Sequence, residues 1–413
     1  MAQLVEVKTG TSAARWVLPL TLLLTLVAVA SVAIPLFVIR AFRPQGTEEL
    51  TVALAVRQAA PWVTATCAAG IVFVALATWR RVPRVWQRIT VVGFCSVAIA
   101  AACLSRVNVF EKIFQPYGAP AFGSVAEVPV DLDDKVLAVK IGDEAKAFPV
   151  RTMGYHHIVN DTIGGKPVAV TYCTLCHTGL VWSRVVGGRT LSFRLAGINN
   201  GNALLRDEET ESIWQQSTGE AIFGPLTGQR LELILSDELT FALWRREEPN
   251  GMILRPDARR SSEYDPKDWE SHVEKSRVVV DTSGSGIPPH RLMLGISVDG
   301  VNKAYPVDAI LASGLIEDRV GEDRLLLVVG QDGASIRVFK ALGAAPNHAS
   351  TFARLGGARD KLMVDTQTSS EWNFKGCAVK GPLAGQCLAA VESHKDYWFD
   401  WMNHHPDTAV FKG

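Results

Sequence analysis

The chain has 413 residues, with 42 basic and 42 acidic side chains and no formal net charge. That balance gives no global attraction for nucleic acid or an acidic partner. Hydrophobic residues make up 48% of the chain, and the excess is gathered at the N-terminus, which points to a membrane protein rather than a wholly soluble one.

Three nearly uncharged runs come first. Residues 16–39 contain no ionisable side chain and are long enough to cross a hydrocarbon core of about 30 Å at about 1.5 Å per residue. Residues 61–79 and 89–105 are the second and third candidate spans. The first run is too long for a secretory signal and lacks a small-residue cleavage site, so it reads as a retained anchor. The loop between the second and third runs carries Arg80, Arg81, Arg84 and Arg88 and no acid, which predicts that it faces the cytoplasm. Lys8 and Arg15 then lie on the same side, and everything after Ser105 lies outside; only Arg40 and Arg43 stand against this. The expectation is a multi-pass anchor over residues 1–110 of a cell (inner) membrane protein, with an extracytoplasmic, periplasmic C-terminal region and the lipid bilayer as its first partner.

From Val136 onwards short apolar segments alternate with turns at Gly142-Asp143, Gly164-Gly165 and Gly187-Gly188. This spacing predicts a mainly β region with tight hairpins, barrel- or sandwich-like, with short helices such as one at 239–248. An internal repeat organises it. Ala147-Phe148-Pro149-Val150 recurs as Ala304-Tyr305-Pro306-Val307, and Gly224-Pro225-Leu226 recurs as Gly381-Pro382-Leu383, each 157 residues on. Asp207, Thr210, Ser212 and Trp214 recur 158 residues on as Asp365, Thr368, Ser370 and Trp372. Two tandem units follow, 111–255 and 284–413, joined by a polar stretch, 256–283, read as a surface linker.

The first unit holds Cys173-Thr174-Leu175-Cys176-His177 between two apolar runs of strand character, with His156 and His157 upstream. Shifted by 157, Cys173 and Cys176 fall on Gly330 and Gly333, His177 on Ala334, and His156 and His157 on Ser313 and Gly314. The second unit has lost every candidate ligand, so the scaffold does not need them, and a functional role in the first unit gains weight. The same shift sets Cys377 and Cys387 on Glu220 and Arg230 across a Gly-Pro-Leu-x-Gly-Gln turn. A structural disulfide in the second unit would then replace an ion pair in the first, provided the Cα atoms lie within about 7 Å.

At these motifs the chain resembles the uncharacterised bacterial and archaeal family DUF3179. The resemblance is carried by His157-Ile158-Val159-Asn160-Asp161, by the block from Gly164 to Cys176, and by the block from Thr210 to Gly228. It covers about 135–255 strongly and the second unit weakly. It implies no established activity, and His177 departs from the usual family pattern.

Three chemistries fit the residues. Cys173 and Cys176 with His157, His156 or His177 form a ligand set for copper or zinc. The two cysteines alone form a thiol-redox pair, whose thiolate a nearby His would favour. Cys-x-x-Cys-His is also the attachment signal of c-type haem, with His177 as axial ligand. The opposing class is a non-catalytic anchored binding module with a structural disulfide. A redox or metal-delivery partner protein follows from the first two readings.

Overall fold

In the computed structural model, described for residues 11–80, 82, 84–341, 352–355 and 362–412, the chain divides into two units. One holds the N-terminal helices; the other runs from Ile113 onwards, apart from Gly197–Asn199.

The helical unit contains α1 (Thr11–Val38), α2 (Thr47–Thr78) and α3 (Val85–Leu104). All three are long and apolar enough to cross a membrane. Their shared seam is built from small or compact side chains: Ala28, Cys67, Ala68, Ile71, Ala98 and Ala101. Small residues let apolar helices approach closely where no hydrophobic effect drives them together. Leu23, Leu26, Phe37, Trp62, Phe73 and Leu76 point outwards and are exposed, as lipid-facing residues would be. The second helix begins fourteen residues before the span read from hydropathy. Glu48, Glu49 and Arg57 lower the average there, and Pro61 reads as a start but lies within the helix. The short α4 (Val109–Ile113) follows.

The C-terminal unit is β-rich, and none of its sheets closes into a barrel among the described residues. Its first five-stranded sheet takes the order Phe122–Ser124, Met252–Leu254, Glu144–Pro149, Lys135–Ile141, Ser236–Thr240. Helix α5 (Val150–His156) leads from it into a three-stranded sheet, Ile158–Ile163, Lys166–Cys173 and Thr178–Ser183. The turn Gly164-Gly165 has φ of 55° and 76°, the left-handed pair that a two-residue hairpin requires. A four-stranded sheet spans 193–223, and α6 (Phe241–Glu247) follows Ser236–Thr240. Thr240 caps α6 by accepting from the Leu243 amide.

The same order begins again at Leu292. Strands Leu292–Val298 and Val301–Pro306, α8 (Val307–Ser313), and strands Leu315–Val320, Asp323–Val329 and Ile336–Lys340 fall 157 residues after their counterparts, to within a residue. Helix α9 (Trp398–His404) does the same for α6. Side-chain detail recurs with the elements. Asp207 accepts from the Thr210 amide at 2.5 Å and from Trp214 Nε1 at 2.8 Å; Asp365 does so from Thr368 and Trp372 at 2.6 and 3.0 Å. Trp214 and Trp372 are both fully buried, so they serve the core.

One cluster of buried residues draws on both stretches: Val136, Phe241 and Trp244 pack with Leu326, Phe339 and Trp372. The stretch 256–283, read as a surface linker, is mostly exposed or half-buried but is anchored at one point. It contains α7 (Trp269–Val273), whose Trp269 is buried in the core with Leu137, Phe148 and Tyr172. Its overall polarity hid one anchoring aromatic. Cys377 and Cys387 are bonded to each other, with Cα atoms 4.0 Å apart, and Glu220 and Arg230 form an ion pair of 2.7 Å at the counterpart position.

Candidate functional site

The strand Lys166–Cys173 pairs antiparallel with Thr178–Ser183, with Cys173 opposite Thr178. Four residues, Thr174 to His177, turn between them, and the His177 amide closes the turn on the Thr174 carbonyl. Cys176 is therefore carried inward, where it is fully buried; Cys173 is 2% exposed, and both thiols are free.

The floor of the site comes from the far end of the chain. The Tyr397 amide donates to the Cys176 carbonyl at 2.8 Å, which seats the strand Ser393–Tyr397 and the start of α9 against the turn. Asp396 and Asp400 thereby reach the cysteines. Thr178 Oγ1 donates to Asp396 Oδ1 at 2.8 Å and lies 3.3 Å from Asp400 Oδ2. Asp400 Oδ2 also accepts from Asn202 Nδ2 and Ser217 Oγ, each at 2.9 Å. Asn202 Nδ2 reaches Cys176 Sγ at 3.3 Å, so one amide holds both the sulfur and the carboxylate. Its own orientation is fixed by Gln215 Nε2 and the Ser217 amide, which both donate to Asn202 Oδ1.

The two sulfurs sit in opposed environments. A hydrogen bond from Cys176 and one from His157, with the imidazole's charge, hold the Cys173 thiol down at about 5, against the pull of burial. Burial, with the neighbouring Cys173 and the charges of Asp400 and Asp396, pushes Cys176 well up. Burial and the Asp400 charge likewise push Asp396 well up.

His157 is the histidine that reaches the pair. It has φ of 62°, a left-handed value unusual for a residue with a side chain, while Gly314 at the counterpart position has φ of 73°. The counterpart carries glycine at this left-handed position, where a Cβ would stand 2.4 Å from Arg354 Nη1, whereas here the position carries a full side chain. Gly154, on α5, makes room for Asp265 and Thr174: a Cβ there would stand 2.0 Å from Asp265 Oδ2 and 2.6 Å from Thr174 Cγ2. Asp265 thus lies against the back of the site, and its charge interacts with His157.

The structure does not bring the other two histidines to the sulfurs. His156 is buried with Nδ1 on the Gln115 carbonyl at 2.6 Å and Nε2 on Tyr264 Oη at 3.2 Å. His177 is fully buried, with Nδ1 3.2 Å from Tyr172 Oη and Nε2 2.7 Å from Glu270 Oε1. With both ring nitrogens engaged and the ring packed against Trp269 and Tyr397, His177 does not fit the role of a haem axial ligand. His404 and His405 are partly buried: His404 Nε2 lies 3.6 Å from Asp400 Oδ1 and the His405 ring 4.1 Å from that of Trp401.

Asp396 and Asp400 escape a motif search because they are remote from the cysteines. One signal marks them. They stand where the counterpart positions hold Leu239 and Leu243, and they are acids inside an aromatic run, Tyr397-Trp398-Phe399 and Trp401.

Taken together, this is a β-rich unit with a buried Cys-x-x-Cys site, preceded by three helices of membrane-crossing length. The chain belongs to the family described as "Protein of unknown function (DUF3179)", whose model matches residues 117–408 and so takes in both the cysteine turn and the aspartates. Neither the curated proteins nor the solved structures contain a match.

Proposed function

We propose that the protein is a membrane-anchored thiol–disulfide redox module whose working pair is Cys173 and Cys176. The observation that carries this is the placement of two free thiols three residues apart on one turn, Cys173 on the side that His157 acts on and Cys176 against Asn202 and the two aspartates; their surroundings push Cys173 down and Cys176 up. That division suits two-step exchange. The Cys173 thiolate attacks one sulfur of a partner disulfide, the partner's S–S bond breaks, and the leaving thiolate takes a proton. Cys176 then gives its proton to the Asp396/Asp400 pair and attacks Cys173 Sγ, which releases the partner as a dithiol and leaves Cys173–Cys176 oxidised. Two electrons pass to the partner; the reverse sequence passes them back.

The remaining parts of the reading agree. Helices α1–α3 anchor the chain in the inner membrane. The arginine-rich loop around Arg84 favours a cytoplasmic side for that loop and hence an extracytoplasmic outer unit. The Cys377–Cys387 bond suits an oxidising compartment. The recurrence at 157 residues supports a duplicated unit in which the second half has kept the scaffold and contributes the aspartates. The partner is a redox protein presenting an accessible disulfide or dithiol.

The test is a redox titration of the purified full chain in glutathione buffers, with thiols counted by alkylation and mass spectrometry. A reversible two-electron step mapped to Cys173–Cys176, with the fold retained, is expected. A pair that stays reduced until the chain unfolds would overturn the reading.

A further inference from the structure

Three potential ligand atoms, one each from Cys176, Asp396 and Asp400, lie within 4.8 Å of one another, and all three residues are buried. Among the described residues neither carboxylate is paired with a Lys or Arg; Lys395, next in sequence, turns instead to Glu238 at 3.0 Å. Two buried acids this close, with hydroxyl and amide donors and only His404 Nε2 at 3.6 Å from Asp400 Oδ1 as a nearby basic group, are unfavourable unless a cation or a proton joins them. Asp400, which is completely buried, has one oxygen, Oδ1, with no hydrogen-bond partner; His404 Nε2 stands 3.6 Å from it, outside hydrogen-bonding distance.

The surroundings resemble the outer shell of a metal site. Asn202 donates to both Cys176 Sγ and Asp400 Oδ2, and Thr178 donates to Asp396. Such donors fix ligand orientation. The counterpart region has lost the whole set at once. Gly333 replaces Cys176, Leu239 replaces Asp396, and Leu243 replaces Asp400 and fills the space beside Gly330.

We propose that Cys176, Asp396 and Asp400 bind a divalent cation of the zinc class, one sulfur and two carboxylate oxygens, with a fourth position open to Cys173 or to solvent. A thiolate with carboxylates favours zinc-like ions over the harder magnesium and calcium. The site joins two regions more than 200 residues apart in sequence, so the cation ties the cysteine turn to α9.

The experiment uses the full chain in detergent, reduced and stripped of metal, titrated with Co²⁺ as a visible stand-in for Zn²⁺. One equivalent should give a thiolate-to-cobalt charge-transfer band that is lost in Cys176→Ser. Asp396→Asn and Asp400→Asn should each weaken binding at least about tenfold. In the unaltered chain, one equivalent of Zn²⁺ should displace the cobalt and abolish the band, a readout independent of whether any variant folds. No charge-transfer band, no displacement by Zn²⁺, or both Asn variants binding like the parent would overturn the site. Reversible Cys173–Cys176 oxidation in a chain that binds no cobalt would remove the cation site alone; cobalt binding by a pair that never oxidises would remove the redox reading alone.

Discussion

At the scale of single residues the account turns on Cys173 and His157. An ordinary thiol titrates near 9.0, and Cys173 is held down at about 5. Its folded affinity for a proton lies below the unfolded one. The stabilisation that accompanies this is therefore complete above pH 9.0 and fades as the pH falls towards 5. Alkylation of Cys173 by iodoacetamide should already be fast at pH 6 and should drop only as the pH approaches 5; a rate that rises only near pH 9 would contradict the assigned setting. His157→Gly should raise that midpoint while leaving stability within roughly 1 kcal/mol, because the strain relieved at a left-handed position offsets the added freedom of glycine. A large loss of stability in this variant would mean that the imidazole is a packing residue. The sequence showed this part of the site plainly, since two sulfurs and several imidazoles within about twenty residues stand out in a chain with few of either. It could not say which imidazole points at the sulfurs. That depends on backbone angles at His157 and on the partners Gln115, Tyr264 and Glu270, which arrive from other segments.

At the scale of elements the short hairpins were legible from Gly-Gly turns, and α6 from its periodicity. The stretch 256–283 was not, because composition averages over Trp269 and the polar residues around it. Trp269 packs against both Tyr172 and His177, and Glu270 bonds the His177 ring. Trp269→Ala should cost about 3–5 kcal/mol in a thermal or urea denaturation; a change under 1 kcal/mol would restore the linker reading. The two counterpart hairpins offer a matched pair of tests. Replacing Cys377 and Cys387 by Ser should cost roughly 2–3 kcal/mol. Removing the exposed Glu220–Arg230 pair should cost no more than about 1 kcal/mol. Equal losses at the two sites would argue that the hairpins are not equivalent in their surroundings.

At the scale of the whole molecule, the twofold recurrence explains why half of the candidate site was invisible to motif reading. The cysteine turn lies in the first stretch and its acidic floor in the second, and nothing local to Asp396 or Asp400 announces a partner some 220 residues upstream. Comparing the halves position by position exposes the aspartates as the polar members of otherwise apolar pairs. The three long apolar helices were legible because the length and apolarity that crossing a bilayer demands are written directly in sequence. Its orientation has its own test. A single Cys introduced at Arg84, in a background otherwise free of reactive thiols, should resist an impermeant maleimide in intact cells, and one at Arg194 should react. The opposite pattern would place the β-rich unit in the cytoplasm. The most direct measurement of the central claim is disulfide trapping in that membrane. With Cys67, Cys95 and Cys103 replaced by Ser, the Cys176→Ser chain should accumulate a partner joined through Cys173, while the Cys173→Ser chain should accumulate none. Equal trapping by both, or by neither, would contradict the division of labour between the two sulfurs.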